Sequence, residues 1–178
     1  MTAVNAYQKI WWDQVLSDHS VLVLLRREDA HPCHQLHYLQ MVTEKLGKAY
    51  FWKDRAPGKG HASFKQFLQA LNNRQGSKNR PALEERLRIA RLFGFRSPDA
   101  FESSIKSSIP LAREIEQLAP ALAGDDGPNP EYPWPRMQPV HAPASFEFPI
   151  WDRLNGSGKG HQLLKMIDRA VLKFPEYA

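Results

Sequence analysis

Four side chains that can bind a metal ion lie within seven residues, in the segment His31-Pro32-Cys33-His34-Gln35-Leu36-His37. On a helix, Cys33 and His37 are four residues apart and His34 and His37 are three apart, so two or three of them can face one ion. Structural zinc sites usually take a second ligand pair from a separate segment, and no second Cys/His pair follows here. We therefore expect the histidines to cover a helix surface and predict no metal and no cofactor. A metal-assisted hydrolase is the alternative.

Catalytic groups have little support elsewhere in the chain. Cys33 can pair with a histidine as a nucleophile, but its sequence context matches no such enzyme. Asp125 and Asp126 lie in a Gly/Pro-rich turn, and Glu84 and Glu85 suit the positive end of a helix dipole. The sequence therefore predicts that this protein is not an enzyme.

Phosphate binding is the chemistry that the charged residues favour. Between residues 53 and 96 there are eleven Lys or Arg and three acids, a local net charge of +8, whereas residues 97–158 carry four bases and nine acids, a net of −5. A segment this basic attracts polyanions at long range and contacts phosphates at short range. A solvated surface or an acidic protein partner would explain the same charges, so both alternatives remain open.

The helix expected after Pro81 carries two of these bases on one side. Arg88 and Arg91 are three residues apart, and Glu84 is placed to pair with Arg88 at i,i+4. No helix-turn-helix, zinc finger, RNP motif or Gly-x-x-Gly clamp is present. Phosphate contacts position a protein without reading bases, so we predict binding to the nucleic-acid backbone without sequence preference.

The elements that position these residues are predicted to be helices. Apolar residues recur at helical spacing in seven segments: 3–16, about 32–51, Phe64 to its end at Asn72-Asn73, Pro81 to its stop at Gly94, one from Pro98, one from Pro110, and about 159–174. Residues 20–27 fit either a buried strand or a helix. The helix after Pro81 is predicted to bury Leu83, Leu87 and Ala90. The fold class is therefore all-α, with one domain over residues 1–178.

A proline-rich segment interrupts this pattern between Gly124 and Pro149. It holds seven of the fourteen prolines, which block helix interiors and central strands. Its aromatic residues suggest an extended strap pinned to the core; they are Tyr132, Trp134, Phe146 and Phe148. We predict that residues 124–149 form the one long irregular excursion of the fold.

The tetrapeptide Gly-Lys-Gly-His occurs twice, at residues 58–61 and 158–161, each time before a predicted helix. Backbone N–H groups at a helix start favour an anion, and Lys59 or Lys159 would add charge there. Neither copy is a Walker A loop, because the earlier glycine and the following Ser or Thr are missing. A flexible glycine turn is the simpler interpretation.

Composition limits the compartment and the environment. No run approaches the roughly 18 apolar residues of a membrane span, and no signal peptide is visible at the N-terminus. Cys33 is the only cysteine, so no internal disulfide can form. We expect a cytoplasmic protein with no membrane partner.

Read in order, several features resemble the small helical subunit of the type I-E CRISPR surveillance complex, the CasB family of Cascade. The corresponding residues are Trp11-Trp12, Leu25-Arg26-Arg27, His37-Tyr38-Leu39, Ser63-Phe64 to Leu71, Glu85-Arg86-Leu87, Arg96-Ser97-Pro98-Asp99, and Trp151 before Leu163 to Phe174. The strap and the Gly-Lys-Gly-His segments depart from the family pattern.

The resemblance implies a noncatalytic helical subunit, present as a pair in an RNA-guided antiviral complex. It implies contacts with guide RNA, target DNA and other subunits, and self-association. The candidate nucleic-acid-binding residues are Arg26, Arg27, Lys53, Arg55, Lys59, Arg74, Lys78, Arg80, Arg88 and Arg91. The alternative is a protein-interaction module of the immunity, antitoxin or adaptor type, whose basic zone docks an acidic protein.

Overall fold

The computed structural model describes residues 4–52, 63–76, 82–124, 127–134 and 140–178. The elements in these ranges are α1 Ala6–Arg27, α2 Pro32–Phe51, α3 Ser63–Gly76, α4 Leu83–Leu92, α5 Pro98–Gln117, α6 Pro120–Ala123, a 3₁₀ turn Pro143–Ser145, α7 Pro149–Gly156, α8 Gly158–Leu172 and α9 Phe174–Tyr177. The described residues contain no strand, only an isolated bridge between Trp134 and His141. The predicted all-α class is confirmed. None of the described helices is long and apolar enough to cross a membrane.

Capping side chains set the start of the first two helices. Asn5 accepts from the Gln8 backbone N–H, and the Gln8 side chain accepts from the Asn5 N–H, which forms a capping box. Helix α1 then continues through residues 20–27, so the ambiguous apolar run is helical and not a strand. Pro32 begins α2 at the position where its missing N–H costs nothing.

Helices α3 and α4 depart from the sequence prediction. Helix α3 continues through Asn72 and Asn73 to Gly76, so the expected helix end there is wrong. In α4 the predicted core face is only partly correct, because Ala90 is buried as expected but Leu83 is 66% exposed and Ile89 is fully buried instead. Phe93, directly after α4, stacks on Phe101 with ring centroids 4.8 Å apart, and Ile89 and Ala90 are buried in the same core.

Helix α5 runs through Pro110, where the sequence predicted the start of a separate helix. The proline removes one backbone donor but lies on the exposed side of the helix. Burial of Ile105 before it and of Ala112 and Ile115 after it holds both halves against one core. Ser97 caps the start by accepting from the Ala100 N–H.

The described helices other than α6 contribute to one hydrophobic core, in which α2 packs against α1, α3, α5 and α8. The proline-rich strap is pinned to this core by Trp134 and Phe148, which are 1% and 4% exposed, while Phe146 packs against it. Tyr132 was expected to help, but it is 60% exposed. The strap therefore closes the bundle through three of its four aromatic side chains.

The second Gly-Lys-Gly-His copy is the first turn of α8 and not a loop before it. Ser157 caps this turn by accepting from the Gly160 N–H at 2.9 Å. A Cβ on Gly160 would lie 2.2 Å from the Arg153 carbonyl oxygen, so Gly160 lets α7 pack closely against α8. The sequence did not predict α7. The first copy, at residues 58–61, lies outside the described residues.

Candidate nucleic-acid interface

A groove of about 580 Å³ lies between α4 and the C-terminal end of α8. Four of its six lining residues are cationic, and the six are Glu84, Arg88, Arg91, Leu92, Arg169 and Lys173. The two walls are about eighty residues apart in the sequence, so only the packed bundle brings these charges together. A concave basic surface of this kind suits an anionic ligand.

Arg88 fixes α4 to the C-terminal end of the chain. Its Nε and Nη2 donate to the Glu85 carboxylate at 2.6 and 2.8 Å, and its Nη1 donates to the Glu176 carbonyl oxygen at 2.9 Å. The hydrogen bond to Glu85 raises the pKa of the Arg88 guanidinium, which keeps it charged. The predicted pairing of Arg88 with Glu84 is wrong, because Glu85 is the partner. Arg88 therefore organises the groove and has few donors left for a ligand.

Arg169 reaches the groove over a glycine. Gly94 follows α4 with φ +83°, and a Cβ built there would lie 1.4 Å from Arg169 Nη1. The guanidinium thus lies against the bare backbone at the end of α4. Glycine is required here both for the positive φ and for this close approach.

Arg91 and Arg169 make no ion pair or side-chain hydrogen bond with any described residue, and both side chains are exposed. Lys173 differs, because its Nζ lies 2.9 Å from Glu176 Oε1. The guanidinium of arginine presents a planar set of donors that matches phosphate oxygens. Arg91 and Arg169 are therefore the two groove cations best able to bind a phosphate.

Helix α8 adds a row of cations that the sequence analysis missed. Lys165, Arg169 and Lys173 are spaced by four residues and are exposed, so they follow one side of α8 at intervals of about 6 Å. Their i, i+4, i+8 spacing was legible in the sequence. It did not stand out, because residues 159–178 carry four bases and two acids, a net charge of only +2. Only the fold places this row opposite Arg91.

The predicted residues Arg26 and Arg27 do not line the groove. Arg26 lies near Asp168, with 3.5 Å between Nη1 and Oδ1, and burial lowers the pKa of its guanidinium. His19 Nε2 contacts the same carboxylate at 2.9 Å, so Arg26 belongs to a contact between α1 and α8. Arg27 is exposed and pairs with Glu28 at 2.8 Å.

Of the remaining candidates, only Arg88 and Arg91 have described side chains, and both line the groove. Arg74 lies in α3, and its side chain is outside the described part of the structure. The other candidates lie outside the described residues altogether: Lys53, Arg55, Lys59, Lys78 and Arg80. The predicted basic zone is thus described only at its α4 end.

The His/Cys segment is dispersed by the fold. His31 Nδ1 lies 3.2 Å from Cys33 Sγ, whereas His37 Nδ1 faces Glu131 Oε1 of the strap at 3.3 Å. Among the described residues no group of three or more His, Cys, Asp or Glu is arranged to hold a metal ion. Cys33 is buried, and desolvation raises the pKa of its thiol, which disfavours the nucleophilic thiolate.

Comparison with known proteins finds no matching family model, no matching curated protein and no matching solved structure.

Proposed function

We propose that this protein binds the backbone of nucleic acid without reading its base sequence, as a noncatalytic subunit of a larger ribonucleoprotein complex. The resemblance to the CasB family suggests a Cascade-like complex in antiviral defence. One observation carries the proposal: the α4/α8 groove holds two exposed arginines, Arg91 and Arg169, that make no ion pair or side-chain hydrogen bond with any described residue.

Several physical features support phosphate as the ligand. An exposed guanidinium can donate two parallel hydrogen bonds to a phosphate. The groove is continuous with the row of Lys165, Arg169 and Lys173, which offers successive contacts to a repeating polyanion. The sequence carries no base-reading motif, which favours phosphate contacts by these arginines over contacts with base edges.

Carboxylates moderate the charge of the groove. Glu84 lines it directly, Glu85 neutralises Arg88, and Glu176 neutralises Lys173. The four cations therefore face three acids, and the groove alone should bind weakly. Additional basic residues between 53 and 80, or partner subunits, would supply the remaining contacts.

Salt-dependent binding tests the proposal. We expect the purified chain to bind unrelated oligonucleotides at low salt, measured by fluorescence anisotropy. Arg91→Ala and Arg169→Ala should each weaken binding equally for all sequences and lower the salt slope by about one, because one fewer counterion is released. Arg113→Ala is the matched control, since Arg113 is exposed on α5 and does not line the groove.

Two outcomes would contradict the proposal. The first is no binding to any nucleic acid at low salt, either alone or with co-purifying subunits. The second is binding whose salt slope is unchanged in both arginine variants. Salt-sensitive capture of an acidic protein without nucleic-acid binding would instead favour the protein-docking alternative.

A further inference from the structure

A stack of aromatic rings lies where the start of α1 meets the end of α2. The rings of Tyr7 and Trp52 are nearly parallel, with an interplanar angle of 2° and centroids 5.6 Å apart. Trp11 lies against the same indole at 5.7 Å with a 44° tilt. Offset parallel rings at this distance are a favourable aromatic arrangement. The three residues therefore form one contiguous aromatic surface.

Side-chain hydrogen bonds hold this surface in place. The Asn5 amide donates to the Trp52 carbonyl oxygen at 3.4 Å, and the Gln8 amide donates to the Tyr50 carbonyl oxygen at 3.5 Å. The capping residues of α1 thus also satisfy the last carbonyls of α2. The two helix ends are tied together, and the rings project from a rigid base.

The outer part of the stack is open. Tyr7 is 56% exposed, although it is a large aromatic residue, and Ile10 beside it on α1 is 67% exposed. The nearby charges are paired, since Lys9 contacts Asp13 at 2.6 Å and Lys48 contacts Glu44. Lys48 Nζ also lies 5.2 Å from the centroid of the Trp11 ring, so the apolar and uncharged part of the patch is Tyr7 with Ile10.

Its position in the chain indicates the chemistry of its ligand. Trp52 is followed directly by Lys53, the first residue of the basic segment that ends at residue 96 with a net charge of +8. A flat uncharged ring surface adjoining a strongly basic segment matches a ligand with flat rings on a polyanionic backbone. Proteins that bind single strands combine these two features, since aromatic rings stack with unpaired bases while cations contact the phosphates.

We propose that Tyr7 and Trp52 form a stacking platform for the unpaired bases of single-stranded nucleic acid. The inference rests on the proposed function and adds a substrate class to it. A base stacks on the open face of Tyr7 and extends the Trp52–Tyr7 stack. Stacking tolerates every base, so the platform adds affinity without sequence preference. A duplex has no unpaired base to offer, so it gains nothing from the platform.

The test compares the full chain with three Tyr7 variants and one control, using a single strand of about twelve nucleotides and a duplex of the same length. Tyr7→Ala and Tyr7→Leu should each weaken single-strand binding about tenfold, the loss of one stacked base. Duplex binding should not change. Tyr7→Phe should retain single-strand affinity, because the ring is kept. Ile10→Ala is the control and should bind like the wild type. The single strand, but not the duplex, should quench the tryptophan fluorescence.

Each contrary result has a distinct meaning. If Arg91→Ala and Arg169→Ala weaken single-strand binding while Tyr7→Ala does not, the proposal of a stacking platform is wrong and the proposed function stands. If Tyr7→Leu and Tyr7→Phe bind single strands equally well, apolar area and not ring stacking is what matters, and the platform is wrong. Concentration-dependent dimerisation that Ile10→Ala and Tyr7→Ala both abolish, without any change in single-strand affinity, would assign the patch to a second copy. If the wild-type chain binds no nucleic acid at all, both proposals are overturned.

Discussion

The guanidinium of Arg169 occupies the space that a side chain on Gly94 would fill. An added Cβ would lie 1.4 Å from Nη1, and Gly94 has φ +83°. One backbone position thus determines both the end of α4 and the placement of a groove arginine. The sequence marks Gly94 only as a helix stop.

We expect Gly94→Ala to alter stability and binding together. The positive φ should lower the free energy of unfolding by about 1 kcal/mol, and the methyl group should displace Arg169. Gly124→Ala is a control for backbone strain without the steric contact, because Gly124 has φ +71° and ψ −177°, a region that essentially only glycine adopts, and no atom within 4 Å of its added Cβ. Chemical denaturation should show a loss of stability for both variants, with the larger loss for Gly124→Ala. Only Gly94→Ala should weaken nucleic-acid binding, and by less than Arg169→Ala does, because the displaced guanidinium keeps its charge. Equal binding by the two glycine variants would contradict this placement of Arg169.

The corrected core face of α4 predicts a contrast between two leucine-sized side chains. Ile89→Ala should lower the free energy of unfolding by about 2–5 kcal/mol, because Ile89 is fully buried and leaves a cavity. Leu83→Ala should cost less than about 0.5 kcal/mol, since Leu83 is 66% exposed. Urea titration measures both. A larger loss of stability in Leu83→Ala than in Ile89→Ala would mean that α4 buries Leu83, as the sequence predicted.

The two glycines at the start of α8 should differ sharply in their tolerance of alanine. Gly160→Ala should lower the free energy of unfolding by about 1–3 kcal/mol, because the methyl group meets the Arg153 carbonyl oxygen at 2.2 Å and α7 must shift. Gly158→Ala meets nothing within 4 Å and should be neutral or stabilising by about 0.5 kcal/mol. Thermal unfolding followed by circular dichroism distinguishes them. Equal melting temperatures would mean that this turn is a flexible loop and not a packed corner.

Glu116 should make stability depend on pH in a specific direction. Its carboxylate on α5 accepts from the Lys65 N–H at 2.7 Å at the start of α3, yet desolvation outweighs this bond and raises its pKa above 4.5. A raised pKa means that the folded state holds the proton more tightly, so this contribution is present at low pH and is lost as the pH rises through the raised pKa.

Glu116→Gln keeps an acceptor for Lys65 and cannot ionise. As the pH rises past 4.5, the ordinary pKa of glutamate, the free energy of unfolding of this variant should therefore increase relative to that of the wild type. Glu116→Ala removes the acceptor and should be less stable than Glu116→Gln at every pH. Urea titrations across this range measure the differences. A gap between Glu116→Gln and the wild type that does not vary with pH would refute the expected effect.

The local signals in this sequence gave correct structure where they are strong. Pro32 and the Ser97-Pro98 pair begin helices where capping chemistry places them. The apolar periodicity of α2 and α8 predicted both helices within about two residues, because a helix of that length needs a continuous buried stripe. The described residues of the strap, 127–134 and 140–148, contain no α-helix, in agreement with the exclusion of regular helix by proline.

The errors occur where packing outweighs a local signal. Pro110 lies inside α5 because buried residues on both sides of it hold the helix against one core. Leu83 and Ile89 are both compatible with an apolar stripe on α4, and only the packing of α4 against α5, which includes the stack of Phe93 on Phe101, shows that Ile89 is the buried one. Helix periodicity defines a stripe but not the element that it faces.

The sequence by itself determined the helical class, the strap and a strongly basic middle segment, since each depends on residue type and on spacing within one element. The tertiary structure alone decided which cations converge. In the folded chain Arg26 lies near Asp168 and Arg88 pairs with Glu85. Arg169 on α8 and Arg91 on α4 line the same groove. Charges distant in the chain meet only when helices pack, because the burial of apolar side chains sets the helix orientations and the charged side chains follow.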